Sequence, residues 1–84
     1  MYFTYIIQNN KTKRRYIGST ENLERRLDQH NSGKTKSTKY GVGLWEIIYK
    51  EEYLTRNEAI KRELMIKSYK GGNGLRKLLS ITRD

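Results

Sequence analysis

Residues 2 to 8 alternate between two faces: Phe3, Tyr5 and Ile7 share one, Tyr2, Thr4 and Ile6 the other. Apolar or aromatic groups on both sides predict a strand covered at least partly on each face. Asn9-Asn10-Lys11-Thr12 reads as a turn, because asparagine tolerates left-handed backbone geometry. Residues 14–18 return as a second strand, so the chain opens with a hairpin. Thr20-Glu21-Asn22 marks a helix start, with an acid in the first turn where the helix dipole favours it. In that helix Leu23, Leu27 and His30 line one face, and Asn31-Ser32-Gly33 stops it. Residues 34–43 form a polar loop.

Trp45-Glu46-Ile47-Ile48-Tyr49-Lys50 predicts a third strand, and Thr55-Arg56-Asn57-Glu58 is a capping box. The helix that follows runs to about Tyr69, with Ala59, Ile60, Leu64 and Ile66 as its apolar positions, and Gly71-Gly72 breaks it. A last short helix carries Leu75, Leu78 and Leu79. The order β-β-α-loop-β-α-α predicts an α+β fold, a small three-stranded antiparallel sheet flanked by helices. At 84 residues the expectation is a single domain, 1–84, burying only about 60% of its unfolded surface.

Charge changes the picture most. Eighteen Lys and Arg stand against nine Asp and Glu, for a net charge of +9. That excess suits a polyanionic partner, although a basic, merely solvated surface would look the same. The basic residues are interspersed with apolar periodic segments, which argues against a disordered tail. Without cysteine there is no disulfide framework and no thiolate metal site. The first residues are too aromatic for a signal peptide, and no apolar run reaches the roughly 18 residues of a membrane span. The expected setting is intracellular and soluble, in the cytoplasm or nucleoid.

A few residues fit a purely structural account poorly. Glu63 lies one turn from Ala59 and Ile60 and three residues before Ile66, so it belongs to an apolar helix face. A carboxylate there is costly unless it is paired with a cation or holds one. Arg26 borders the face made by Leu23, Leu27 and His30; it can snorkel or grip a phosphate bidentately. Tyr5 and Tyr16 sit on the two hairpin strands, where tyrosine ordinarily packs. His30 is the only histidine, so no zinc site is available. Gly71-Gly72-Asn73-Gly74 lacks the Lys-Ser/Thr ending of a P-loop.

In order along the chain, these pieces resemble the GIY-YIG nuclease superfamily, the excision-repair type and short stand-alone members among it. Tyr16-Ile17-Gly18 is the second half of the signature, and Phe3-Thr4-Tyr5 stands where Gly-Ile-Tyr is expected. Glu24 through His30 looks like the family's first helix, with Arg26 on its arginine and His30 on a histidine one turn later. The stretch from Ala59 to Lys67 looks like the helix bearing the metal-binding glutamate, at Glu63, and Asn73 matches the family's asparagine. The chain departs from the pattern at Phe3 and Thr4, and at Ser19, where some members carry lysine.

The resemblance implies a metal-dependent endonuclease that hydrolyses DNA phosphodiester bonds with one Mg²⁺ or Mn²⁺. Water would attack in line, with Tyr5 or Tyr16 helping to remove its proton. An ordinary tyrosine, with a pKa of about 10, is too weakly acidic to serve as a base at neutral pH. Lys13, Arg14, Arg15 or Arg26 would have to lower it. Arg26 would stabilise phosphoryl charge, Glu63 would hold the metal, and His30 and Asn73 would orient water or phosphate. Lys11, Arg14, Lys34, Lys36, Lys39 and Lys70 are candidates for backbone contacts, which supply affinity rather than sequence choice. No zinc finger or separate recognition helix is evident, so structure-dependent or non-specific cutting of DNA, branched or damaged DNA included, is expected. A homodimer or a targeting protein partner is compatible with this. The alternatives are a nucleic-acid-binding module, or a catalytic subunit that needs its partner to cut.

Overall fold

The computed structural model describes residues 1–32, 44–69 and 73–81, with the backbone alone at Asn73 and Ile81. It has the expected α+β architecture. Strands β1 (Tyr2–Asn9), β2 (Arg15–Thr20) and β3 (Trp45–Tyr53) form one sheet, with helices α1 (Leu23–Asn31), α2 (Arg56–Lys67) and α3 (Asn73–Ile81) packed around it. The strand order is β2-β1-β3, both pairings antiparallel. The central place of β1 explains its double-sided pattern. Tyr5 and Ile7 pack with Trp45, Tyr16, Leu23, Leu27 and Ile47 on the α1 side. On the opposite side Ile6 packs with Ile17, Ile66, Leu75 and Leu79, beneath α2 and α3. Each fully buried aliphatic side chain here contributes about 1.5–3 kcal/mol. Among the described residues no helix is long and apolar enough to cross a membrane.

The hairpin turn differs from its expected mechanism. The residue with left-handed backbone is Lys13, at φ 63°, not an asparagine. Asn9 contributes through its side chain: its Oδ1 accepts from the amides of Lys11 and Thr12 at 2.9 and 3.0 Å. Strand β3 runs three residues past Lys50. A bulge opposite Ile6 and Ile7 turns both Ile48 and Tyr49 toward the α2 side. Beyond it, Glu51 accepts hydrogen bonds from Tyr49, Tyr53 and, bidentately at 2.8 and 3.1 Å, from Arg62 of α2. Burial pushes the Glu51 carboxyl up, but these bonds outweigh it and hold it below its ordinary range.

Helix α1 starts one residue after its cap, Asn22, whose side chain accepts from the Arg25 amide. Its far end is tied to β3 by a reciprocal pair: Trp45 N–H donates to Asn31 Oδ1 at 2.7 Å, and Asn31 Nδ2 donates to the Trp45 carbonyl at 3.2 Å. Helix α2 begins at the expected Thr55 cap, whose hydroxyl accepts from the Glu58 amide. It ends at Lys67 rather than Tyr69. Of its apolar positions only Ala59 and Ile66 are buried, while Ile60 and Leu64 are exposed. At i, i+4 and i+7, Ala59, Glu63 and Ile66 share the inward face.

Candidate functional site

Tyr5 and Gly18 are directly opposed across β1 and β2, and Tyr16 is opposed to Ile7 two positions along. All four therefore face α1. The tyrosine rings lie 6.4 Å apart between centroids, tilted by 34°. Gly18 makes that possible. A Cβ at this position would sit 2.6 Å from Tyr5 Oη, 2.8 Å from Tyr5 Cζ and 3.0 Å from Tyr16 Cε1. The glycine of Tyr-Ile-Gly is thus the floor on which both rings rest.

Helix α1 closes over the rings. His30, 1% exposed, has Nε2 3.0 Å from Tyr5 Oη, and its ring centroid lies 4.7 Å from that of Tyr16. One turn earlier, half-buried Arg26 donates from Nη1 to Gln29 Oε1 at 2.9 Å. It is also coupled to both tyrosines, Tyr5 above all, and that holds its own pKa above the ordinary arginine value. Burial, then the Arg26 charge, depress His30 to about 4, so the imidazole is neutral at pH 7. It carries one donor and one acceptor nitrogen.

The expectation that cationic neighbours lower the tyrosine fails for Tyr5. Its pKa is pushed up to about 12, with burial the largest cause; the hydrogen bond to Arg26 pulls it down, and Tyr16 and Glu63 push it further up. At pH 7 only about one molecule in 10⁵ would carry a phenolate here. Arg26 is the one cation among the main causes of the shift. Arg15 is spent on a bond to Gln8 Oε1 at 2.9 Å, toward the far end of the hairpin.

Glu63 approaches from the other face of the sheet. Its Oε1 accepts from Ser19 Oγ at 2.7 Å and its Oε2 from Lys67 Nζ at 2.6 Å. Ser19 follows Gly18 on the edge strand β2 and so points the opposite way. Its cross-strand partner Thr4 donates to the Ala59 carbonyl at 2.7 Å. Two consecutive residues of one edge strand therefore serve the two halves of the site: Gly18 supports the tyrosines, and Ser19 positions the carboxylate. Among the described residues no three His, Cys, Asp or Glu side chains gather into a metal cage. Glu63 suits a hard cation as a single carboxylate ligand, with phosphate and water oxygens completing the shell. One of its oxygens carries a neutral hydroxyl. The other carries an ammonium whose flexible side chain is 47% exposed.

Beside Arg26 an open cleft of about 360 Å³ runs between the starts of α1 and α2, with Tyr2, Arg25 and Arg56 in its walls. None of those three was singled out from the sequence, and neither were the bonds of Ser19 and Lys67 to Glu63. The Glu63–Lys67 spacing of four residues was readable; Ser19 and the cleft come from segments distant in sequence. Lys11 and Arg14 are exposed at the hairpin turn. At roughly 3.3 Å per strand residue, Arg14 lies some 15–20 Å from Ser19. Lys34, Lys36, Lys39 and Lys70 fall outside the described residues. Asn73 opens α3, and only its backbone is described.

A family model described as the GIY-YIG catalytic domain matches residues 1–76. A UPF0213 protein of Staphylococcus epidermidis is 39% identical over 69 residues, which cover 81% of this chain and 82% of that protein. Another UPF0213 protein, from Oceanobacillus iheyensis, is 33% identical over 66 residues, 79% of this chain and 76% of that protein. The solution NMR structure of a UPF0213 protein from Bacillus halodurans superposes with a TM-score of 0.60 at 26% identity, covering 96% of this chain and 85% of that one.

Proposed function

The chain belongs to the GIY-YIG catalytic domain family, and from that premise we propose that it is a metal-dependent endonuclease that hydrolyses DNA phosphodiester bonds by structure or without sequence preference. The observation that carries this reading is the convergence around β2 of Tyr5, Tyr16, Arg26 and His30 on one face and Glu63 on the other. Arg26 binds the phosphoryl oxygens and stabilises the charge that grows on them. Tyr5 stays protonated and, with His30, fixes the aromatic wall against which the phosphate and the attacking water are aligned. Tyr16, the less buried of the two and next to Arg26, would take the water's proton in its phenolate form, becoming the neutral phenol as hydroxide attacks. Glu63 would hold Mg²⁺ or Mn²⁺, which when bound supplies electrostatic stabilisation at the leaving oxygen. Ser19 keeps the carboxylate in register with the strand.

The Glu63–Lys67 ion pair supports a second reading, in which the carboxylate is structural and the domain holds nucleic acid without cutting it. Labelled duplex, single-stranded and branched DNA, incubated with Mg²⁺, Mn²⁺ or EDTA, separates the two. The nuclease reading expects cleavage that needs metal, disappears in Glu63→Gln with binding retained, and falls further in Tyr16→Phe than in Tyr5→Phe. Parental cutting by Glu63→Gln would refute the metal assignment. Salt-sensitive binding without cleavage under every condition would leave the binding module.

A further inference from the structure

The cleft beside Arg26 is not required by the chemistry above, yet its walls have a definite character. Arg25 is the exposed neighbour of Arg26, and Arg56 reaches in from the start of α2. The Arg56 guanidinium lies 5.7 Å from the centroid of the Tyr2 ring. Neither Arg25 nor Arg56 is in either of the two ion pairs found among the described residues, so both charges are available to a ligand. Glu21 is the one carboxylate in the lining, which leaves the three arginines in clear excess. The combination is cationic forks, which match phosphate oxygens, beside a half-buried aromatic ring, which offers a base a stacking surface.

Size selects the occupant. About 360 Å³ lies at the low end of ligand pockets and suits one nucleotide unit. A duplex keeps its bases stacked inside and shows a cleft of this size only its phosphates. A base reaches Tyr2 only if it is unpaired and splayed from its neighbours.

We propose that this cleft binds the nucleotide flanking the scissile phosphate, its phosphate held between Arg25 and Arg56 and its base, unpaired, against Tyr2. The substrate class is then DNA with a single-stranded segment at the cut: a flap, a branch or a frayed end. The placement of the scissile phosphate at Arg26 rests on the nuclease reading. The occupancy of the cleft does not, because binding is measured without cleavage.

The test is fluorescence anisotropy in EDTA, with a labelled single-stranded oligonucleotide, a 3′ or 5′ flap and a blunt duplex of equal length. The parental chain should bind the single strand and the flap at least several-fold more tightly than the duplex. Arg25→Gln with Arg56→Gln should weaken single-strand binding about tenfold or more. It should also lower the slope of log affinity against log salt by about 0.7, the amount for one phosphate no longer neutralised on a single strand. Tyr2→Leu should lose about fivefold or more, and Tyr2→Phe, which keeps the stacking face, should restore it. Far-UV circular dichroism confirms that each variant is folded. Equal affinity for duplex and single strand, or parental binding by the double arginine variant, would overturn the subsite while leaving the Glu63→Gln cleavage result standing. Competition by a mononucleotide at concentrations as low as those of the oligonucleotide would assign the cleft to a free nucleotide and overturn it equally.

Discussion

Gly18→Ala adds one methyl group where the fold leaves no room for it. The new Cβ would fall 2.6 Å from Tyr5 Oη and 2.8 Å from Tyr5 Cζ. The ring cannot simply swing aside: Tyr5 is 2% exposed, and its hydroxyl is tied to His30. Forcing a methyl into a packed site costs about 1–3 kcal/mol, and losing the bond between two buried polar groups adds about 1–3 kcal/mol. A loss of roughly 2–6 kcal/mol is therefore expected, a large share of the 5–15 kcal/mol that a native domain has in all. Urea titration at pH 7 should show it as a fall in midpoint at unchanged slope. A double-mutant cycle isolates the cause. In a Tyr5→Leu background the ring end is gone, so adding Gly18→Ala should cost little, and the coupling should come out near the single-variant clash. A Gly18→Ala protein with the parental midpoint, or costs that simply add in the double variant, would refute the claim that this glycine makes room for the tyrosines.

Two further outcomes follow from the site. His30 titrates at about 4 in the fold against about 6.5 when unfolded, so between those values the unfolded chain binds more protons. Stability is therefore present in full above pH 6.5 and lost as pH falls toward 4, by at most about 3 kcal/mol. Urea midpoints measured from pH 7.5 to 4.5 should fall more steeply in the parental chain than in His30→Gln, and equal slopes would remove His30 as the cause. Lys67→Met frees the second oxygen of Glu63, and an exposed ion pair of this kind is worth up to about 1 kcal/mol. Direct Mn²⁺ titration should then show tighter binding, by up to about fivefold, whereas unchanged or weaker binding would mean that Lys67 does not compete with the cation.

Local pattern was enough to read the elements in order, the hairpin, the Thr55 cap and the inward position of Glu63, because side-chain periodicity and capping act over a few residues. The motif residues Tyr5, Tyr16, Arg26, His30 and Glu63 could be named from spacing and resemblance. What the tertiary structure decided was their state. Tyr5 looks from the sequence like a residue that basic neighbours could activate. In the fold its burial outweighs the lowering by Arg26, and Arg15 is engaged with Gln8 instead. The same holds for Ser19 and Glu63, which are 44 residues apart, and for Tyr2, Arg25 and Arg56, which three different elements bring to one cleft. Burial and long-range contact depend on how the helices pack against the sheet, and no window of neighbouring residues contains that information.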